Sequence, residues 1–150
     1  MKNIVRFALY ILFVISISSC LKMGLDDLPT SDKAEITNVK FEYRWWDEAA
    51  EQLRVVELTA DNKIADHAIS CTITVPAVTD KFTSEIREKV SLANIVCLTD
   101  ISAGASIRPL NGAPVLGTPE DFSGKEFSYL VVAADGSNIE WKINIIAINK

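Results

Sequence analysis

The sequence predicts an all-β domain, built as one antiparallel β-sandwich of about seven strands. Three observations lead there. Apolar and polar residues alternate with period two over several runs, which places them on opposite faces of half-buried strands. Glycine, proline and Asp/Asn clusters separate those runs at short intervals. Only one short stretch has helical spacing.

The N-terminus sets the context. Lys2 and Arg6 precede an apolar run from Phe7 to Ile17, followed by Ile17-Ser18-Ser19-Cys20. Charged, apolar and small-residue parts in this order form a secretory signal. A cysteine at the cleavage point fits the bacterial lipobox, in which its thiol takes a diacylglyceryl group. The apolar stretch Ile4 to Ile17 is too short for a transmembrane helix, which needs roughly 20 residues. Residues 1–19 are therefore expected to be a lipoprotein signal peptide, with Cys20 the lipidated residue. Each buried methylene of the lipid contributes about 0.8 kcal/mol to membrane attachment. Residues 20–33 contain Gly24, Pro29 and several small polar residues, and read as a flexible tether. Asp26-Asp27 within it resembles an acidic surface-export signal and equally fits a solvated linker. Residues 34–150 form the domain.

Cleavage takes Lys2 and Arg6 from the 15 basic residues, leaving 13 against 20 acidic, so the formal charge moves from −5 to −7. An acidic domain without a basic cluster excludes nucleic acid as a partner. The expected partners are the membrane, through the lipid, and a polysaccharide or another surface protein. The expected location is the outer membrane, at the cell surface or on the periplasmic face.

Along the domain, Thr37, Val39, Phe41, Tyr43 and Trp45 share one face of a first strand. Asp47-Glu48-Ala49-Ala50 breaks it, and residues 52–59 resume the alternation as the second arm of a hairpin. Residues 60–66 (ADNKIAD) read as a polar loop. His67 heads the next strand, in which Ile69, Cys71, Ile73 and Val75 share a face, and Pro76 ends it. Residues 79–89 carry Phe82 and Ile86 at helical spacing, with Asp80 as the cap. Residues 90–99 return to strand with apolar residues at both parities, as in a strand buried on both faces or carrying a bulge. Residues 103–124 are rich in Gly and Pro and predict short strand pieces. Residues 126–134 and 138–148 form the clearest hairpin, turning at Asp135-Gly136. About seven strands is the number expected of an immunoglobulin-like sandwich.

The C-terminal half also carries a recognisable pattern. Ile101-Ser102-Ala103-Gly104-Ala105-Ser106-Ile107-Arg108-Pro109 is followed by Asn111-Gly112-Ala113-Pro114 and Asp121-Phe122-Ser123. Tyr129-Leu130-Val131, Ala134-Asp135-Gly136-Ser137 and Trp141-Lys142-Ile143 complete it. This stretch resembles the immunoglobulin-like domain of uncharacterised function in cell-surface lipoproteins of Bacteroidota. The resemblance covers roughly residues 101–146 and names no catalytic residue. It implies a sandwich fold and a role in polysaccharide capture or surface assembly.

Little chemistry is encoded. His67 is the single histidine, no nucleophile elbow accompanies it, and no set of His and Cys ligands is spaced for zinc. No catalytic residue, metal or cofactor is expected, and the chain is not expected to be an enzyme. Asp61, Asn62 and Asp66 offer oxygen ligands in one stretch but lack EF-hand spacing. Asp47, Glu48 and Glu51 cluster beside aromatics without the facing geometry that glycoside hydrolysis needs. Cys71 and Cys97 are an even pair in an exported protein. They read either as a disulfide or as small buried apolar residues.

The one cluster suited to binding is Tyr43, Trp45 and Trp46. Neighbouring strand residues point to opposite faces. With Trp45 inside, Trp46 points outward, where an indole either stacks on a sugar ring or caps the sandwich. The two functional readings are a glycan-capturing surface lipoprotein and a structural partner that docks by an edge strand or an apolar patch.

Overall fold

The computed structural model describes residues 30–150, so the signal peptide, Cys20 and Asp26-Asp27 lie outside the described residues. The described chain is almost entirely β. Its strands are β1 (Ile36–Asp47), β2 (Gln52–Ala65), β3 (Ala68–Thr74), β4 (Ile95–Ile101), β5 (Ser106–Pro109), β6 (Pro119–Glu120), β7 (Glu126–Val132) and β8 (Asn138–Asn149). A single short helix, α1 (Ser84–Lys89), and a 3-10 turn at Leu92–Asn94 lie between β3 and β4.

The strands form one continuous sheet in the order β5-β7-β8-β3-β2-β1-β4-β6, curled around a single core. β2 belongs to both halves. Its first part pairs with β1, from Asp47↔Gln52 to Phe41↔Leu58. Its second part pairs with β3, from Thr59↔Thr74 to Ala65↔Ala68. The expected all-β domain is observed, while the expected separate, purely antiparallel sheets are corrected to one mixed sheet. β3 and β8 run parallel. Local alternation encodes which face of a strand is buried but not which strand lies beside it, so this pairing left no mark in the sequence pattern. The strand count rises to eight because β6 is a two-residue edge strand.

Two local readings also change. Residues 60–65 continue β2 instead of forming a loop. The turn shrinks to Asp66 and His67, both at positive φ (48° and 59°). Asn62 stitches the place where β2 leaves β1: its Nδ2 donates to Val39 O at 2.6 Å and to Asn38 Oδ1 at 2.8 Å. Polar composition suggested a loop, yet Asp61 and Lys63 are simply the solvent-facing row of a strand. The cap of α1 is Thr83, whose Oγ1 accepts from Ile86 N–H, and not Asp80. Of the two expectations for the next strand, burial on both faces is the one observed at the start of β4, where Ile95, Val96 and Cys97 are all inaccessible.

The hairpin of β7 and β8 forms in the expected place, with Tyr129 opposite Trp141. Gly136 sits at φ 90° in the connecting turn, a conformation that costs residues with a Cβ. In β8 the register with β3 slips by one residue after Ile145. Ile146 keeps its outward parity at 60% exposure, and the slip reverses the parity beyond it, so that Ile148, opposite Ile73, joins Ile145 on the core side.

The chain joins the fold at one pole. Ser31 O accepts from Asp135 N–H at 3.2 Å, and Asp32 O accepts from Ser137 Oγ at 3.3 Å. Ala34 O accepts from the buried Trp141 indole N–H at 2.8 Å. Glu35 O accepts from Ser102 N–H at 3.0 Å. The last residues of the expected tether are thus strapped onto the turn between β7 and β8. β1 then runs from this pole to the opposite one.

Candidate functional site

At the far end of β1 the strand alternation separates the three aromatics singled out in the sequence. Tyr43 is buried and Trp45 half-buried, both on the core side. Their rings stack with centroids 6.1 Å apart and planes 18° from parallel. Phe82, brought over by the segment before α1, closes against Trp45 at 5.7 Å. Trp46 lies on the opposite face and is 54% exposed.

On that outer face the hairpin register sets Trp46 opposite Leu53 and Arg44 opposite Val55. Leu53 and Val55 are 57% and 51% exposed, so three large apolar side chains share one patch. Arg44 borders it with its charge answered: Nη2 and Nε donate to Glu42 Oε2 at 2.8 and 3.0 Å, and Nη1 donates to Gly117 O at 3.2 Å. Leu53 and Val55 were not singled out by sequence reasoning. Their signal was their parity, opposite to that of Val56 and Leu58, once the hairpin is registered on Trp46.

The three aromatics nevertheless border one groove, of about 490 Å³. Ala49 and Ile86 add apolar surface, and Asp47, Glu48, Asp80, Lys81, Glu85 and Lys89 bring charge to its lips. Its size falls in the roughly 300–1,000 Å³ range of small-ligand sites. One wall is α1 and the segment leading into it, so two stretches far apart in sequence meet here. Asp47 fixes the neighbouring turn: Oδ1 accepts from Ala49 and Ala50 N–H at 3.1 and 3.2 Å, and Oδ2 from Arg54 Nε at 3.0 Å. The Arg54 hydrogen bond is the first cause holding the Asp47 carboxyl below its usual value.

A family model described as DUF5018-related matches residues 36–144, which takes in the groove and the turn between β7 and β8, with the strap residues just before it. The chain belongs to this family. It is also similar to the solved structure of a "putative secreted protein" from Bacteroides fragilis, at 35% identity and a TM-score of 0.71. The match covers 81% of this chain and 100% of that one. No curated protein matches the chain. The fold is thus shared with a Bacteroides fragilis protein described as "putative secreted", which accords with an extracellular or envelope location.

The remaining sequence candidates sit elsewhere in this DUF5018-related domain. Cys71 and Cys97 are both buried free thiols in the core. Burial pushes Cys71 up to about 11 and Cys97 higher, with the neighbouring Cys71 adding to the latter. Both are protonated at neutral pH and pack as small apolar residues. His67 is exposed in the turn after β2 and meets the Trp141 ring edge-on at 5.4 Å. Asp61 and Asn62 face opposite sides of β2, so they do not converge on a cation. Among the described residues no group of three or more His, Cys, Asp or Glu is placed to hold a metal.

Proposed function

We propose that this chain is a membrane-anchored lipoprotein, held by acylated Cys20, whose non-catalytic domain captures glycans at the cell surface. The observation that carries the reading is Trp46, exposed at the tip of β1 beside a groove bordered by Tyr43 and Trp45. An exposed indole offers a broad apolar face on which a sugar ring can stack, and burying it removes apolar area from water at about 25 cal/mol per Å². The direction of the chain supports it too. The described residues begin at the strap pole, and β1 has 12 residues. At about 3.3 Å per residue the groove stands roughly 35 Å from the strap. A lipid on the N-terminal side leaves the groove on the far side of the domain.

A second reading rests on the patch of Trp46, Leu53 and Val55. Three adjacent exposed apolar side chains also suit a protein partner in a surface assembly. Edge-strand docking is the weaker form of this reading. β5 has four residues and ends at Pro109, and β6 has two and begins at Pro119, so neither edge offers a long free ladder.

Affinity electrophoresis of the full-length chain in polysaccharide gels tests the first reading. Trp46→Ala abolishes the retardation and leaves thermal unfolding unchanged, because an exposed side chain contributes little to stability. Equal retardation of both proteins removes the glycan reading, and loss of a co-purifying protein in the variant favours the second. Cys20→Ser transfers the chain from the membrane to the soluble fraction; a variant that stays in the membrane fraction contradicts the anchor.

A further inference from the structure

The charges on the lips of the groove bear on which glycans it would take, an inference that rests on the glycan-binding reading above. Much of their charge is already answered. Asp47 is engaged by Arg54 and two backbone N–H groups, and Lys89 Nζ lies 2.7 Å from Glu85 Oε1. Glu48, Asp80 and Lys81 are left on the lips, and none of them forms an ion pair among the described residues. Two carboxylates against one ammonium give the lips a surplus of negative charge. The chain as a whole is also acidic, at −5.

A uronate or sulfate polymer approaching this pole meets like charge, with Lys81 alone to answer it. Unpaired like charges oppose binding and act against the wrong partner. A neutral sugar meets no such barrier. Its hydroxyls donate to Glu48 and Asp80 in charge-assisted hydrogen bonds, the stronger kind, while its C–H faces rest on the apolar surface beside Trp46. We propose that the groove takes a neutral, hydroxyl-rich glycan segment and rejects polyanionic ones.

The test uses the full-length chain, purified in detergent, in native gels containing laminarin, galactomannan, polygalacturonate or dextran sulfate, run at low and at high salt. The expected result is retardation by at least one neutral polymer, unaltered by salt, and none by the two polyanions. The double variant Glu48→Lys, Asp80→Lys is expected to acquire salt-sensitive retardation by polygalacturonate and to lose it on the neutral polymer. Stronger retardation of the wild type by either polyanion, or a neutral interaction that fades with salt, overturns the selectivity while leaving glycan capture standing. Migration unaffected by all four polymers counts against glycan capture itself, and the selectivity falls with it.

Discussion

The two poles of the domain are built from the same residue types and put them to opposite uses. At the strap pole, Trp141 is buried, and its indole N–H closes on Ala34 O. The turn between β7 and β8 is satisfied by Ser31, Asp32 and its own Asp135 and Ser137. At the groove pole, Trp46 stands in solvent, and charged side chains ring an open cleft. The difference lies in what the chain brings to each end. The N-terminal segment covers the first, whereas the helix α1 stands beside the second without closing over it. A tryptophan covered by its own chain serves stability, and one left open is free to meet a ligand.

The sharpest way to break this contrast is at Trp141. Trp141→Ala leaves a cavity in a closed core and is expected to cost about 3–5 kcal/mol, a large share of the roughly 5–15 kcal/mol that holds a domain together. Trp141→Phe keeps an aromatic ring but strands Ala34 O, at about 1–3 kcal/mol. Urea unfolding of both variants checks the ranking. A Trp46→Ala variant as destabilised as Trp141→Ala would erase the distinction between the poles.

The core between the poles gives a second prediction. Cys71 and Cys97 are buried and protonated, so neither is expected to react with a thiol reagent in the native chain at pH 8, and both react once it is unfolded. Rapid native labelling at either position would show that the core opens.

The smallest effect concerns the lip turn. The folded carboxyl of Asp47 is depressed below its usual 3.8, mainly by Arg54. A depressed value means the stabilisation is present above that usual value and is lost as pH falls through the lower folded one. The Ala49 and Ala50 amide resonances are expected to titrate with a midpoint below 3.8, and Asp47→Asn to abolish the transition. A midpoint at or above the usual value contradicts the arrangement at the lip.

The sequence was most informative where alternation was strict. β1 and the hairpin of β7 and β8 were readable because Val39-Phe41-Tyr43 and Tyr129-Val131 against Trp141-Ile143 keep their parity. Alternation also placed Trp46 outside and Trp45 inside. It failed over residues 60–65, where a strand continuing into the second half of the sheet has a polar outer row and only Ala60 and Asn62 facing in. It was silent on the parallel pairing of β3 with β8, because that neighbour is fixed by the core as a whole. The groove was half legible: its aromatics come from one strand, but its other wall comes from residues 80–89, more than thirty positions away. No local pattern joins those two stretches.

On the proposed function, ligand is taken at the groove pole and not at the strap pole. Hydrogen exchange on the full-length chain, with and without the neutral polymer that retards it, maps this directly. Slowed exchange in the loops at 47–51 and 79–83, with 133–138 unchanged, is the predicted outcome. Protection centred on 133–138, or spread evenly over both ends, would contradict it.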